Sequence, residues 1–332
     1  MRLRNIVIIG SLLLTQLAHG EVAKVVTGYQ NGLTYLPLMM MEEHRLFEKK
    51  AKAVGLDAKA EWRVFNGPAP INDGLLSDGL QFGAVGAPSV VTLWAKTRKS
   101  LAFRAVGSLA YMPMLLNTNN PAIKSVKDFT DKDRIATPSV KVGVQSVTLQ
   151  MAVAQAYGDK EFDKLDKLTV GMGHPEAYIA LMSGKSEITA HFGGPPFQDR
   201  ELVDGKGRIH TVLKSYDLLG GKTTFTAVVA SDTFRIANPK VYAAYVSAFE
   251  EATAMINQDK NGAADVYLKI AHSKEPREMI VALLNNPDNE FNLTPRNLGK
   301  YAAFMYRVGT IKEQPGSWQD LVHPNLHSQP GS

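Results

Sequence analysis

Leu75-Leu76-Ser77-Asp78-Gly79-Leu80-Gln81-Phe82-Gly83-Ala84-Val85-Gly86 is echoed, 106 residues on, by Leu181-Met182-Ser183-Gly184-Lys185-Ser186-Glu187-Ile188-Thr189-Ala190-His191-Phe192. Both stretches run helix end, Ser/Gly turn and strand. Each then meets a break, Gly86-Ala87-Pro88 in one case and Gly193-Gly194-Pro195-Pro196 in the other. Two readings stand: chance similarity between ordinary helix–strand loops, or two lobes of one design. Under the second reading the Gly-Pro breaks line a cleft between the lobes, because ligands in open α/β sheets sit at the carboxyl ends of strands.

The sequence around the echo keeps the same grammar. Ala58, Ala60, Trp62 and Val64 alternate with Lys59, Glu61 and Arg63, the period of a strand. Further strands are expected over residues 22–29, 80–85, 101–107, 134–137, 168–170, 187–192 and 223–230. Helices are expected between them, with Leu36, Met39, Met40, Leu46 and Phe47 at helical spacing in the first. Strands separated by helices of this length imply parallel sheets in an α/β fold. From residue 233 the pattern turns mostly helical, and Thr294-Pro295 looks like the cap and first residue of a helix over 296–308. Met39-Met40-Met41 is read as core packing with one exposed member. The segment from Lys312, with His323 and His327 four apart around Pro324, is read as an irregular, solvated tail.

Composition bounds the rest. The chain has 332 residues, a formal charge of +5, 45% hydrophobic and 21% charged residues. Those are globular values, and the length suits two domains. There is no cysteine, which excludes disulfides, thiolate metal sites, a Cys nucleophile and lipid attachment through cysteine. The charge is too diffuse to argue for nucleic acid. Arg2 and Arg4, a short apolar run from Ile6 to Leu14, and Ala18-His19-Gly20 have the layout of a secretory signal peptide. Cleavage is expected near Gly20, giving a soluble exported protein in the periplasm, with no membrane span.

No GxxxxGK[ST], GxSxG, HExxH or dinucleotide fingerprint is present. No catalytic residue, metal or cofactor is expected. The strand-end loops carry the polar groups instead: Tyr29-Gln30-Asn31, Gly67-Pro68-Ala69, Gly86-Ala87-Pro88 and Gln145-Ser146. Helix starts hold unpaired N–H groups and partial positive charge, so they attract anions without Lys or Arg. His174 and His191 fall at strand ends, and Tyr111 and Phe192 either stack on a ligand or pack. These fifteen residues form the candidate ligand site. Gln145 and Ser146 are the strongest second-lobe candidates.

With those residues in view, the chain resembles the nitrate/sulfonate/taurine group of ABC-transporter substrate-binding proteins. Gly28-Tyr29-Gln30, Leu46-Phe47-Glu48-Lys49, the stretch from Leu75 to Pro88, Ile123 to Phe129, Val142 to Ser146, and Ser317 to Leu321 carry the resemblance, which spans nearly the whole exported chain. It implies a two-lobed type II periplasmic binding fold, with residues 21–111 and the return from 231 in one lobe and 112–230 in the other. Two antiparallel crossings, near residues 111–115 and 223–229, would form the hinge. It also implies a monomer that closes on a small organic anion and docks on a permease with its ATPase. No Arg or Lys stands in the first-lobe pocket loops, so sulfonate and carboxylate stay open. Rival readings are a receptor that signals to a membrane sensor, and an enzyme of the related pyrimidine-precursor branch. Enzymes of that branch use a cysteine-rich segment that is missing here.

Overall fold

The computed structural model describes residues 20–332. The expected signal peptide, Gly20 apart, lies outside the described residues. Ten strands run in chain order: β1 Lys24–Gln30, β2 Lys59–Phe65, β3 Phe82–Gly86, β4 Phe103–Tyr111, β5 Leu115–Thr118, β6 Ile135–Thr137, β7 Thr169–Gly171, β8 Ala190–Phe192, β9 His210–Lys214 and β10 Thr224–Ser231. They form two five-stranded sheets, ordered β2-β1-β3-β10-β4 and β7-β6-β8-β5-β9.

The two sheets have one design. In each, three strands run parallel and a fourth runs antiparallel between the third and the fifth: β10 in the first sheet, β5 in the second. The echoed sequences supply the equivalent strands β3 and β8. Helices Ala87–Thr97 and Phe197–Gly205 follow them. The chain enters the second sheet through β5 and leaves after β9.

Thr224–Ser231 pairs along its length with β3 and β4, so it belongs to the first sheet although the sequence reading put residues up to 230 with the second lobe. The return crossing therefore comes before Thr224. β5 and β9 were not expected as strands. Polar residues interrupt both, Asn117 and Thr118 in β5 and His210, Thr211 and Lys214 in β9, so neither shows an apolar run.

β3 and β10 are buried along their whole length, as a strand covered on both faces must be. Under the first sheet, the Phe82 ring stacks on Tyr245 of helix Pro239–Gln258 with centroids 3.6 Å apart, and Phe234 meets its edge. Met39, Met40 and Met41 are all buried, because helices Pro239–Gln258 and Lys260–Ile270 cover theirs; none is exposed as expected. The C-terminal helix spans Leu298–Arg307, not 296–308, and Thr294 does not cap it. The Thr294 hydroxyl donates to Gln329 instead.

The C-terminal segment corrects the sequence reading most. Val322 bridges Ala105 in parallel, and the His323 N–H donates to the Ala105 carbonyl. His323 is fully buried, its Nε2 3.0 Å from the Ala230 carbonyl. Leu321, Val322 and Leu326 give the segment enough apolar surface to bury against the sheet, despite its prolines.

Candidate functional site

A cleft of about 530 Å³ opens between the two sheets. The first-lobe wall includes Gln30, Asn31, Thr34, Tyr35, Pro68, Gly86, Ser89, Phe225 and Thr226. The second-lobe wall includes Pro138, Ser139, Gly143, Val144, Gln145, His174, Gly194 and Pro195. Among the described residues no Lys, Arg, Asp or Glu lines it. An adjoining cavity, which shares Gln30, Asn31, Pro138 and His174 with the cleft and adds Asn66, Pro175 and Glu176, forms its mouth.

The two walls touch. The Leu33 N–H donates to the Pro195 carbonyl at 3.2 Å, and the hydroxyls of Thr148 and Tyr301 share a 2.9 Å hydrogen bond. Gly86 allows the closest approach, since a Cβ there would stand 2.9 Å from Cβ of Val144. These contacts describe a closed arrangement.

Four helices start at the cleft: Pro68–Leu76, Ala87–Thr97, Val144–Tyr157 and His174–Ser183. Their N-caps are Gly67, Gly86, Gly143 and Gly173, and no side chain caps any of them. The first N–H groups of a helix have no intrahelical acceptor, so four positive helix ends face one uncharged cavity. They are not equal. Pro68, Pro88 and Pro175 each delete a donor in a first turn, and Glu176 adds negative charge at the fourth helix. Val144–Tyr157 has neither a proline nor an acid in its first turn.

Side chains add donors and acceptors. Gln30 Nε2 donates to the Tyr35 hydroxyl at 2.9 Å, leaving that O–H free to point elsewhere. Thr34 and Thr226 hydroxyls pair at 2.6 Å. Tyr35 and Phe225 supply flat apolar surface.

The second lobe also carries a buried chain of polar groups ending in the cavity. Glu201 Oε2 accepts from Asn117 Nδ2 at 2.9 Å, and Glu201 Oε1 lies 2.5 Å from His191 Nδ1. His191 Nε2 lies 2.9 Å from His174 Nδ1, and His174 Nε2 faces Gln145 Nε2 at 3.4 Å. Glu201 and His191 are fully buried. Burial, with His191 alongside, holds His174 well below the ordinary histidine range, so its ring is neutral. No hydroxyl among the described residues hydrogen-bonds to His174. The chain therefore resembles a carboxylate–histidine relay without a nucleophile at its end.

Of the fifteen candidates, Gln30, Asn31, Pro68, Gly86, Gln145 and His174 line the cleft. Gly67 stands beside it, its Cβ position 3.6 Å from the Pro138 carbonyl. Ala69, Ala87 and Pro88 belong to the helix starts but not to the lining. The remaining five lie elsewhere. Tyr29 is buried and donates its hydroxyl to Glu42, Tyr111 donates to the Thr294 carbonyl, and Phe192 is core. Ser146 donates to the Ser139 carbonyl at 2.6 Å and so shapes a lining loop from behind. His191 reaches the cavity only through His174.

Several lining residues were missed. Thr34 sits in a single turn, Leu33–Tyr35, just before the first helix. Ser89 belongs to the strand-end loop Gly86-Ala87-Pro88-Ser89, Tyr35 lies four residues past Asn31, and Ser139 lies two residues past the strand expected over 134–137. Phe225 and Thr226 sit on the strand read as a crossing. Glu201 gives no local signal, since only the fold brings it to His191. Among the described residues no group of three His, Asp or Glu is placed to hold a metal ion, and no helix is long and apolar enough to cross a membrane.

The fold has solved counterparts. The alkanesulfonate-binding protein SsuA of Xanthomonas axonopodis pv. citri, bound to MOPS, is 16% identical with a TM-score of 0.69, covering 89% of this chain and 96% of its own. The periplasmic nitrate-binding protein NrtA of Synechocystis PCC 6803 is 16% identical at a TM-score of 0.68, with coverages of 90% and 84%. The periplasmic aliphatic sulphonate binding protein SsuA of Escherichia coli is 17% identical at 0.67, covering 92% and 99%. The chain thus has the two-lobed type II periplasmic binding protein fold. No curated protein matches it by sequence. The model of the NMT1-like family matches residues 18–271, well over half of the chain, and the protein belongs to that family.

Proposed function

We propose that the protein is a solute-binding component of an ABC importer that captures a small organic anion in the cleft between its lobes. The observation that carries this reading is the convergence of four uncapped helix starts on a cavity without charged side chains. Such ends favour negative charge, and the hydroxyls and amides of the wall satisfy a polar head group. The aromatic faces of Tyr35 and Phe225 suit a short apolar tail. Closure by contacts to both walls follows the hinge motion of two-lobed receptors. The binding proteins that share the fold support the same role. In this reading the chain is exported to the periplasm, works as a monomer without turnover, and hands its ligand to a permease with its ATPase.

A thermal-shift panel of taurine, alkanesulfonates, aromatic sulfonates, nitrate, aromatic carboxylates and pyrimidines tests it. A ligand at 100 times its dissociation constant adds about 2.7 kcal/mol, a shift of a few degrees. Stabilisation by one anion class is expected. Stabilisation by none, or turnover of a panel member, overturns the reading.

A further inference from the structure

Among the described residues no cation lines the cavity to balance an anion, yet one of its walls ends in a buried chain that holds a titratable charge. We propose that Glu201, His191 and His174 form a proton relay that sets the polarity of this wall, and that an anion enters together with one proton. The proposal rests on the anion reading above. It deepens that reading by assigning the counter-charge.

The geometry admits two arrangements. In the first, the Glu201 carboxylate accepts Nδ1–H of His191, whose Nε2 accepts Nδ1–H of His174. His174 then turns a bare Nε2, an acceptor, toward the cavity, where the Gln145 amide donates to it. An anion would meet a lone pair. In the second, a solvent proton binds His174 Nε2, and the Nδ1 proton of His174 passes to His191 Nε2. Two N–H bonds form and one breaks. The net gain is one proton, carried as an imidazolium on His191 against the Glu201 carboxylate. His174 now donates Nε2–H to the cavity, and the relay as a whole is neutral. An anion selects the second arrangement.

The groups around the relay allow this. From its own helix, Glu201 is joined by Asp199, whose carboxyl burial pushes up to about 7. Arg200 on the same helix is engaged by Asp204 and Glu275. Strand β5 contributes Asn117 and strand β9 contributes Thr211, bonded to each other and both neutral. The helix of His174 contributes Glu176 at the mouth, and the helix facing it contributes neutral Gln145. Among the described residues no Lys or Arg hydrogen-bonds to Glu201 or His191, so the carboxylate can hold the imidazolium.

The test uses methanesulfonate, the anion of a strong acid that does not itself titrate between pH 5 and 9, and the full chain. Ring-nitrogen NMR of the ligand-free protein should show His174 as the Nδ1–H tautomer at high pH and the Nε2–H tautomer at low pH, in one step shared with His191. Calorimetry in two buffers of different ionisation heat should show uptake of about one proton per methanesulfonate bound above that step. The dissociation constant should weaken about tenfold per pH unit there. Glu201→Gln, which cannot hold the imidazolium, should fix the Nδ1–H tautomer and abolish the uptake. A His174 tautomer that never changes in the wild-type chain overturns the relay, as does tight binding without proton uptake. Failure of every anion to bind overturns the receptor reading, and the NMR titration still decides the relay.

Discussion

The two lobes share one strand plan and differ in what they bury. The first sheet has the longer strands and is packed by aromatic and aliphatic side chains, with Phe82, Tyr245 and Phe249 at its centre. The second has short strands and buries Asn117, His191, Gln198 and Glu201 behind the cleft. A common topology therefore serves two purposes. One lobe is an apolar frame that presents two of the four helix ends. The other presents the remaining two and spends burial on polar groups that reach the cleft, which is costly unless every group is paired.

The comparison breaks first if the frame is not held by its aromatic stack. Phe82→Ala should cost about 3–5 kcal/mol, read as a lower midpoint in chemical denaturation, and leave ligand stoichiometry unchanged. A cost below about 1 kcal/mol would mean that the stack is not what secures the first lobe.

The lobes should also answer pH with opposite signs. In the first, burial depresses the His323 pKa to about 4. The unfolded chain takes up this proton near the ordinary value of 6.5 and the folded chain only near 4. The stability is therefore full above pH 6.5 and falls as pH drops toward 4, by roughly 3 kcal/mol. His323→Gln should remove most of that acid-side slope in denaturation curves. In the second lobe, burial raises the Asp199 carboxyl from 3.8 to about 7, and its Oδ2 has no partner. Between those values the folded state binds more protons than the unfolded one, so stability falls as pH rises through the window. Asp199→Asn should stabilise the protein at pH 8 by about 1–3 kcal/mol and have little effect at pH 4. If His323→Gln and Asp199→Asn change the pH profile with the same sign, the contrast between the lobes fails.

How far the sequence reveals this depends on how local the signal is. The echo between Leu75–Gly86 and Leu181–Phe192 exposes the repeated strand plan because helix end, turn and strand are consecutive residues. The glycines that open the cleft helices are legible for the same reason. The strands β5 and β9 are not, since polar residues take up much of each: Asn117 and Thr118 in one, His210, Thr211 and Lys214 in the other. The C-terminal segment misleads because proline and glycine suggest solvent, while its burial depends on where β4 happens to lie. His191 draws notice beside Gly193, but its real partners, His174 and Glu201, are set by tertiary packing. The identity of a pocket wall is legible at loop ends. The pairing behind that wall is not.

The smallest expected effect sharpens the contrast most directly. Gly194 belongs to the second-lobe break, and a Cβ there would come within 3.0 Å of Phe225 Cζ and 3.6 Å of His174 Nε2. Gly194→Ala therefore pushes the aromatic wall by a few tenths of an ångström and fills the space in front of the relay. The backbone at this position is not in the left-handed region, so the added methyl strains nothing else. Melting temperature should move by no more than a couple of degrees. Affinity for whichever anion the thermal-shift panel identifies should fall about tenfold, or roughly 1.4 kcal/mol, in titration calorimetry. Unchanged affinity would place the ligand away from Phe225 and His174, toward the helix starts at Gly86 and Gly143, and the buried polar chain behind His174 would then have no part in binding.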